Sequence, residues 1–312
     1  SDLLPSGGGS KSAEFVASGA LSNGQTLILN SDGTVTAVAG SGSGAAVPAN
    51  SVSRFDVGAT KYSTSHYDGS TGRFVVVFAD GSNSYYGTAC VGTVTGTSIV
   101  FSSLYIWRSA DSRNVKFAID PNTAGKMMIV FSQSLGTLSG VVGTYTGTGA
   151  SASMSFGSDA VVLNLDIPGD LAITYDKNTA NRFVIMAHAP TNQGKGIVGN
   201  ISGTTVTMGT AVEWASGGSA PYPRGVDYIA YDKTADKFVT AFADGANSNY
   251  LNAIVGTISG TNTVSFGTRT ASTLVTNALP SIAVDPLRSG SFLIAYVDQP
   301  NTYTGRALVA SL

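Results

Sequence analysis

The sequence contains one cysteine, few charged residues and no long apolar run. A single cysteine, Cys90, excludes an intrachain disulfide. Charged residues are 12% of the 312, about half the usual quarter. The 17 basic and 19 acidic residues leave no basic surplus to bind nucleic-acid phosphates. No apolar run reaches the roughly 18 residues of a membrane span, and residues 1–10 lack the layout of a signal peptide. We therefore expect neither nucleic-acid binding nor membrane insertion.

Helix-forming sequence is also scarce. Glycine accounts for 38 residues, and each costs about 1 kcal/mol in a helix interior. No stretch of about 12 residues has clear helical periodicity. Short apolar runs rich in Val, Thr, Ile, Tyr and Phe alternate instead with clusters of Gly, Asn, Asp and Ser, which is typical of strands and turns. The chain is therefore predicted to be all-β.

A repeat of about 50 residues organises most of the chain. In each unit an apolar strand ends in Asp, and a turn rich in Asn, Thr and Gly then leads into a strongly apolar strand. The aspartates are Asp68, Asp120, Asp176, Asp232 and Asp285. In four units a third strand then passes through Thr-Gly or Ser-Gly into a fourth strand that begins at Ser98, Ser153, Thr205 or Thr263. Four-stranded units of this length are typical of propeller blades.

The two ends of the repeat region predict how it closes. The fifth unit reaches Leu312 without a fourth strand, whereas VSRFDVGAT from Val52 looks like a fourth strand placed before the first unit. We therefore predict an all-β, five-bladed β-propeller of four-stranded antiparallel blades over residues 51–312. Its ring would be closed by the N-terminal strand Val52–Thr60 beside the carboxy-terminal strand, which removes the open edge. A linear array or a stacked sandwich of the same units is the alternative.

Residues 1–50 fall outside the repeat and are predicted to be an attachment segment and linker. Two strand-like runs, Thr26–Asn30 and Thr34–Val38, flank a turn at Ser31–Gly33 and predict a short β-hairpin. A lone hairpin is marginally stable, so we expect it to pack on a partner chain, on the propeller or in a larger assembly. Ser41–Ala49 is a linker of small residues.

The residues that catalysis needs are few. There are two histidines, His66 and His188, and no HExxH, GxSxG or P-loop motif. We predict no enzyme activity, no catalytic residue, no cofactor and no metal site. The five repeat aspartates open turns, where Asp accepts backbone N–H bonds, so their predicted role is structural. Cys90 lies in a strand and is predicted to be a buried, inert thiol.

One propeller face is the candidate binding surface. The turns between second and third strands and the connections between blades share this face. Three of the turns contain Asp, Asn and Tyr in that order, and two connections contain Trp. Aromatic faces with Asn and Asp hydrogen bonds would suit a neutral glycan, and loops on a rigid scaffold often bind ligands. The candidate residues are Asp80, Asn83, Tyr85, Trp107, Trp214, Asp244, Asn247, Tyr250, Asp298, Asn301 and Tyr303. Alternatively, these aromatics cover blade ends and the Asp and Asn residues only form turns.

Two phrases resemble a known group of proteins. Tyr231–Val239, followed by AIVGTISGTNTVSFGT, resembles the repeats in tail-fibre and other virion proteins of tailed bacteriophages. GALSNGQTLILNSDGTVTAV is similar to segments near the N-termini of such fibres. The resemblance covers nearly the whole chain. It implies a structural virion protein, assembled in the host cytoplasm, that binds other virion proteins through residues 1–50 and displays its propeller outward.

Within that group several roles stay open. The chain has no fibrous shaft or heptad coiled coil, which favours a short appendage or capsid decoration over a long tail fibre. A homo-oligomer in the particle and adhesion to a host-surface glycan are further expectations. The alternatives are a free glycan-binding lectin and, less favoured because no acid–base constellation is visible, a glycosidase.

Overall fold

The computed structural model describes residues 16–20, 27–37, 52–96, 98–133, 137–164, 171–189, 193–215, 221–222, 229–244, 248–276, 280–298 and 303–312. Its internal contacts divide the chain into two units, Ser1–Val52 and Ser53–Leu312. In the described residues the secondary structure is β-strand, apart from 3-10 helices at Gly81–Asn83 and Gly149–Ser151. None of the described helices is long and apolar enough to cross a bilayer. The all-β prediction is confirmed.

The first unit contains a small three-stranded sheet of β1 (Val16–Ala17), β2 (Leu27–Leu29) and β3 (Thr34–Ala37). The predicted hairpin is confirmed, since β2 and β3 pair antiparallel with Leu27 opposite Ala37. Gly33 closes the turn at a φ of 84°, which a glycine adopts without strain. The parallel pairing of β1 with β3 was not predicted, because a two-residue strand carries no recognisable pattern.

Within its described residues the second unit contains five antiparallel sheets in chain order, numbered here from first to fifth. The first is β4 (Thr60–Asp68), β5 (Arg73–Asp80), β6 (Tyr86–Thr95), β7 (Ser98–Phe101) and β8 (Tyr105–Asp111). The second is β9 (Arg113–Ile119), β10 (Lys126–Ser132), β11 (Thr137–Thr146), β12 (Ser153–Phe156) and β13 (Ala160–Asn164). The third is β14 (Leu171–Tyr175), β15 (Arg182–Ala189), β16 (Gln193–Ser202), β17 (Thr205–Met208) and β18 (Val212–Ala215).

The last two sheets complete the series. The fourth is β19 (Pro221–Tyr222), β20 (Ile229–Asp232), β21 (Lys237–Asp244), β22 (Tyr250–Ser259), β23 (Thr263–Phe266) and β24 (Thr270–Val275). The fifth is β25 (Ser281–Val284), β26 (Ser291–Asp298) and β27 (Thr304–Ser311). The four strands predicted from the repeat are adjacent in each of the first four sheets, for example β4-β5-β6-β7.

The long connections between sheets are strands rather than the loops that we predicted. β7 pairs with one half of β6, from Gly92 to Thr95. β8 pairs with the other half, from Tyr86 to Ala89. Strands β13, β18 and β24 do the same in the next three sheets. A ten-residue third strand has more edge than a four-residue fourth strand can cover, so the connection supplies the remaining hydrogen bonds.

The predicted closing strand is wrong in its pairing. Residues 52–59 form no strand, and β4 begins only at Thr60. Within the described residues β27 pairs with β26 alone. The segment is held on the first sheet instead: Gly81 N donates to Ala59 O over 2.6 Å. The Phe55 ring lies 5.2 Å from Phe78 and 5.8 Å from Phe101, centroid to centroid. These contacts hold the segment against the first sheet.

The hydrophobic core lies between successive sheets. The first strands of neighbouring sheets contact each other in the order β4, β9, β14, β20 and β25. One cluster joins Val75 and Val91 of the first sheet to Phe117 and Phe131 of the second. Equivalent clusters lie between the second and third, third and fourth, and fourth and fifth sheets. The second, third and fourth sheets therefore bury one face against the sheet before them and the other face against the sheet after them.

Candidate functional site

The candidate binding surface is the loop rim, defined as the turns that join the second and third strands of the five sheets. In the first sheet Asp80 caps the 3-10 helix, since its carboxylate accepts from Ser82 N over 2.9 Å. Ser84 and Tyr85 then take left-handed conformations, with φ of 52° and 60°. Tyr85 N donates to Asp80 O over 2.8 Å and closes the turn. Asn83 is exposed and Tyr85 is half-buried.

The rim turn of the fourth sheet is built in the same way, but with a different side chain at the equivalent position. Ser248 and Asn249 have φ of 53° and 58°, and Asn249 N donates to Asp244 O over 2.8 Å. Asn249 therefore takes the place of Tyr85. The predicted Tyr250 lies one residue further on and pairs with Asp244 as the first residue of β22. The two turns have the same length, so the sequence itself aligns Tyr250 with Tyr86 rather than with Tyr85.

The fifth sheet presents the most exposed aromatic ring of the described rim. Tyr303, 66% exposed, has a φ of 59° immediately before β27. By contrast, the Tyr85 ring is partly covered, since the Lys61 ammonium lies 4.7 Å from its centroid. Two further candidates, Asn247 and Asn301, lie outside the described residues. The described rim therefore offers Asn83 and Tyr303 to solvent, with Tyr85 behind Lys61.

Two of the three rim aspartates are engaged in ion pairs. Asp244 is fully buried and lies 2.9 Å from the Arg269 guanidinium. Asp298 is also buried, 2.6 Å from Arg306. Removing the arginine would leave a buried carboxylate without its charge partner, which is costly. These carboxylates thus secure the ends of β21 and β26 rather than face a ligand.

Both tryptophans are candidate glycan-binding residues in the sequence, and the structure places them in the core instead. Trp107 is 4% exposed and Trp214 is 6% exposed. The Trp107 ring lies 5.0 Å from that of Phe131 in the next sheet, and its Nε1 donates to Thr88 O over 3.1 Å. The Trp214 ring lies 4.9 Å from that of Phe242. Because β8 and β18 are strands, their inward side chains fall into the core between sheets.

The repeat aspartates make the structural contacts predicted for them, and Asp68, Asp120 and Asp232 also join neighbouring sheets. Each accepts an N–H from its own turn, as Asp120 does from Asn122 over 2.9 Å. The second carboxylate oxygen of Asp120 accepts Asn181 N of the next sheet over 2.7 Å. Asp232 likewise accepts Gly290 N over 2.6 Å. These bonds lock successive turns together at the edge of the sheets opposite the rim.

Asp68 shows how strongly these turns hold a charge. It accepts from Ser70 N over 2.8 Å, from the Thr71 hydroxyl over 2.7 Å and from the Tyr145 hydroxyl of the second sheet over 2.6 Å. Burial by itself raises the pKa of the carboxyl, but the hydrogen bonds outweigh it and hold the pKa at about 2. The same contact, together with burial, raises the pKa of Tyr145 well above its usual range.

The other reactive side chains are also placed in the sheets. Cys90 is buried, as predicted, and burial raises the pKa of its thiol to about 12. His188 is buried, which lowers its pKa. His66 packs edge-on against the Phe117 ring at 4.7 Å. Among the described side chains, no three of His, Cys, Asp and Glu gather into a group that could hold a metal ion.

Comparison with known proteins yields only remote structural similarity. No family model matches the sequence, and no curated protein matches it. AofleA of Arthrobotrys oligospora is 10% identical, with a TM-score of 0.44 over 81% of this chain and 68% of that one. A subtype N10 neuraminidase-like protein of A/little yellow-shouldered bat/Guatemala is 7% identical, with a TM-score of 0.42 over 82% and 83%.

A third structure is related at the same level. The exo-beta-1,3-galactanase of Phanerochaete chrysosporium, solved with galactose, is 10% identical, with a TM-score of 0.38 over 64% of this chain and 47% of that one. With TM-scores below 0.5, these similarities assign neither a family nor an activity to the chain.

Proposed function

We propose that this protein is a non-enzymatic structural component of a tailed-bacteriophage particle, such as a short appendage or capsid decoration. Residues 1–50 attach it to other virion proteins, and the repeat unit displays its loop rim to a host-surface glycan. The resemblance of the repeat phrases to virion proteins motivates this role. The observation that carries it is the network of repeat aspartates, which uses its carboxylates to join turns instead of arranging them for catalysis.

A rigid scaffold with exposed loops is what a display protein needs. Loop residues bind best when the elements that carry them are fixed. Here apolar packing joins successive sheets, and aspartate bonds link several of their turns. On the rim, Asn83 offers amide donors and acceptors and Tyr303 offers an exposed ring. Such groups suit a neutral sugar, with the ring against its C–H face and the amide on its hydroxyls.

We further propose that the sheets form a closed, five-bladed propeller. Leu293 is 42% exposed, whereas the register-equivalent residues of the four preceding sheets are fully buried. Val309 is 75% exposed, whereas its equivalents Val91, Val142 and Val198 are buried. In each of the first four sheets, the face that corresponds to Leu293 and Val309 packs against the next sheet in the chain. The first sheet has the complementary open face, a groove of about 520 Å³ lined by Phe55, Phe74 and Val76 among others.

A repeated aromatic sandwich supports the same closure. At two junctions a tryptophan lies between a glycine of its own sheet and a phenylalanine of the next: Gly87, Trp107, Phe131 and Gly194, Trp214, Phe242. Phe78 is register-equivalent to Phe131 and Phe242, and Phe55 already lies on it at 5.2 Å. Gly305 is register-equivalent to Gly87 and has nothing within 4 Å of the place a Cβ would take. The first sheet therefore has the two aromatic rings of such a sandwich, and the fifth sheet has the glycine.

Removal of the attachment segment tests the virion role. A chain that lacks residues 1–45 should fold as the parent does, because the repeat unit has its own core, yet it should no longer be incorporated into particles. Quantitative mass spectrometry of purified particles measures incorporation, and circular dichroism checks the fold. The control is a chain in which only the small-residue linker 41–49 is replaced by another flexible sequence. Normal incorporation of the shortened chain would rule out attachment through this segment.

Glycan binding is tested separately, on the rim. The parent protein is applied to an array of surface glycans of bacterial hosts beside Tyr303→Ala and the buried control Trp107→Phe. We expect a loss of binding of at least ten-fold for Tyr303→Ala and little change for Trp107→Phe. Binding by a chain that is not incorporated into particles would indicate a free lectin. The absence of any binding by the parent would remove the adhesive role and leave the structural one.

A further inference from the structure

The first strands of the first three sheets border a cavity of about 200 Å³ that lies apart from the loop rim. It is lined by β4, β9 and β14, together with the turn after β14 and the start of β20. The position two before the repeat aspartate lines this cavity in all three sheets and is occupied by His66, Ala118 and Thr174. The floor is apolar and includes Phe117 and Ile173.

The charged lining of this cavity has one sign. Its charged lining residues are Lys116 and Lys177, and His66 is a further lining residue whose imidazole can donate an N–H. Thr64 and Thr174 add hydroxyl groups, and no Asp or Glu is among the lining residues. A recessed site with charges of one sign and partly apolar walls concentrates the opposite charge, because the electrostatic interaction is less screened there than on an open surface.

Lys177 is the side chain that indicates a ligand most directly. It is half-buried, and no hydrogen bond or ion pair joins its ammonium to another residue in the described part of the chain. Burial lowers its pKa, and the more distant charge of Asp232 offsets this only in part. A half-buried ammonium is stabilised when an anion takes the place of the lost water.

We propose that this cavity binds a single oxyanion, the carboxylate of an acidic sugar or a phosphate. Lys116 would pair with it from β9 and Lys177 from the turn after β14, while the hydroxyl groups of Thr64 and Thr174 donate hydrogen bonds. The site is independent of the proposed attachment and rim binding. Its ligand class follows from the sign of the lining charges and from the limited volume, which admits a small group rather than a polymer.

Isothermal titration of the full chain with inorganic phosphate and with glucuronate, at low salt, tests the proposal. We expect saturable one-to-one binding that weakens as salt is added. Lys177→Gln and Lys116→Gln should each weaken it at least ten-fold. Lys233→Gln is the matched control, because Lys233 takes the same turn position in the fourth sheet but is exposed and outside the cavity. Thermal melting checks that each variant is folded.

The outcomes separate the possible ligands. Binding of both probes supports an oxyanion site, glucuronate alone supports an acidic sugar, and phosphate alone supports free phosphate or a phosphorylated ligand. Thr174→Leu, which fills the cavity without changing its charge, should abolish binding of whichever probe binds. Failure of both probes to saturate at millimolar concentration, or equal affinity in Lys177→Gln and Lys233→Gln, would overturn the proposal.

Discussion

At the scale of single residues, the packing of a tryptophan ring on a glycine explains more of how neighbouring sheets fit together than the charged groups do. The sequence singles out Trp107 and Trp214 because tryptophan is rare, and it suggests ligand binding. The structure shows that each ring fills the space left by a missing Cβ, at Gly87 and Gly194. This pairing could not be foreseen, since the two members lie about 20 residues apart and meet only through strand register. The structural role of Asp68 and its equivalents, by contrast, follows from local turn chemistry alone.

The first residue-scale prediction concerns these glycines. A Cβ at position 87 or 194 would overlap the indole ring of Trp107 or Trp214. We expect Gly87→Ala and Gly194→Ala each to lower the free energy of unfolding by about 1–3 kcal/mol, as overpacking of a filled core does. Gly267→Ala is the control, because its Cβ would meet only ordinary contact. Urea denaturation measures all three, and equal stability of Gly87→Ala and Gly267→Ala would contradict the pairing.

The second residue-scale prediction concerns acid stability. The pKa of Asp68 is about 2 in the folded chain against a usual 3.8, so its charged form stabilises the fold above pH 3.8. That contribution is lost as the pH falls from about 4 to about 2, where the folded carboxyl takes up its proton. Its size is on the order of 1–2 kcal/mol. Asp68→Asn should therefore be less stable than the parent at pH 7, and the difference should shrink near pH 2. A difference that stays constant with pH would contradict the role of the charge.

At the scale of elements, the four-stranded repeat was predictable and its outer edge was not. Apolar runs bounded by turns of Asp, Asn and Gly locate the repeat strands well. The turns recur at a regular spacing along the chain, so each turn can be recognised from its position in the repeat as well as from its own residues. Strands β8, β13, β18 and β24 escaped prediction, since their sequences are irregular and their pairing with the third strand contains register shifts. The segment around Phe55, a predicted strand, does supply an apolar side chain to the core. Hydrogen bonds of Ala59 with Ser82 and Gly81 nevertheless hold it on the first sheet.

An element-scale prediction follows for the fifth sheet. Its outer strand β27 has no partner on one side within the described residues. Amides that face that side should therefore exchange with solvent faster than those of the third strands β6, β11, β16 and β22, which are paired on both sides. Hydrogen-exchange mass spectrometry measures this directly. Protection of β27 equal to that of β22 would show that another strand, from this chain or a copy, covers its edge.

At the scale of the whole molecule, the repeat predicts a number of sheets but not how the array ends. Each sheet needs a neighbour on both faces, and the sequence of an internal unit says nothing about what the terminal faces meet. The exposed Leu293 and Val309 at one end and the Phe55 groove at the other show that both terminal faces are apolar. Exposed apolar faces of this kind favour association, and the two here have complementary parts.

Gly305→Val tests whether they meet within one chain. If the ring closes, the added side chain meets the Phe55 ring, and we expect the free energy of unfolding to fall by about 1–3 kcal/mol. If the ends stay apart, the variant should match the parent, because nothing lies near that position. Sedimentation distinguishes closure within a chain from head-to-tail association of copies, since only the latter depends on concentration and generates rings or filaments. A monomer whose stability is unchanged by Gly305→Val, but is lowered by Gly87→Ala, would show that the repeat packs as described and that its two ends do not join.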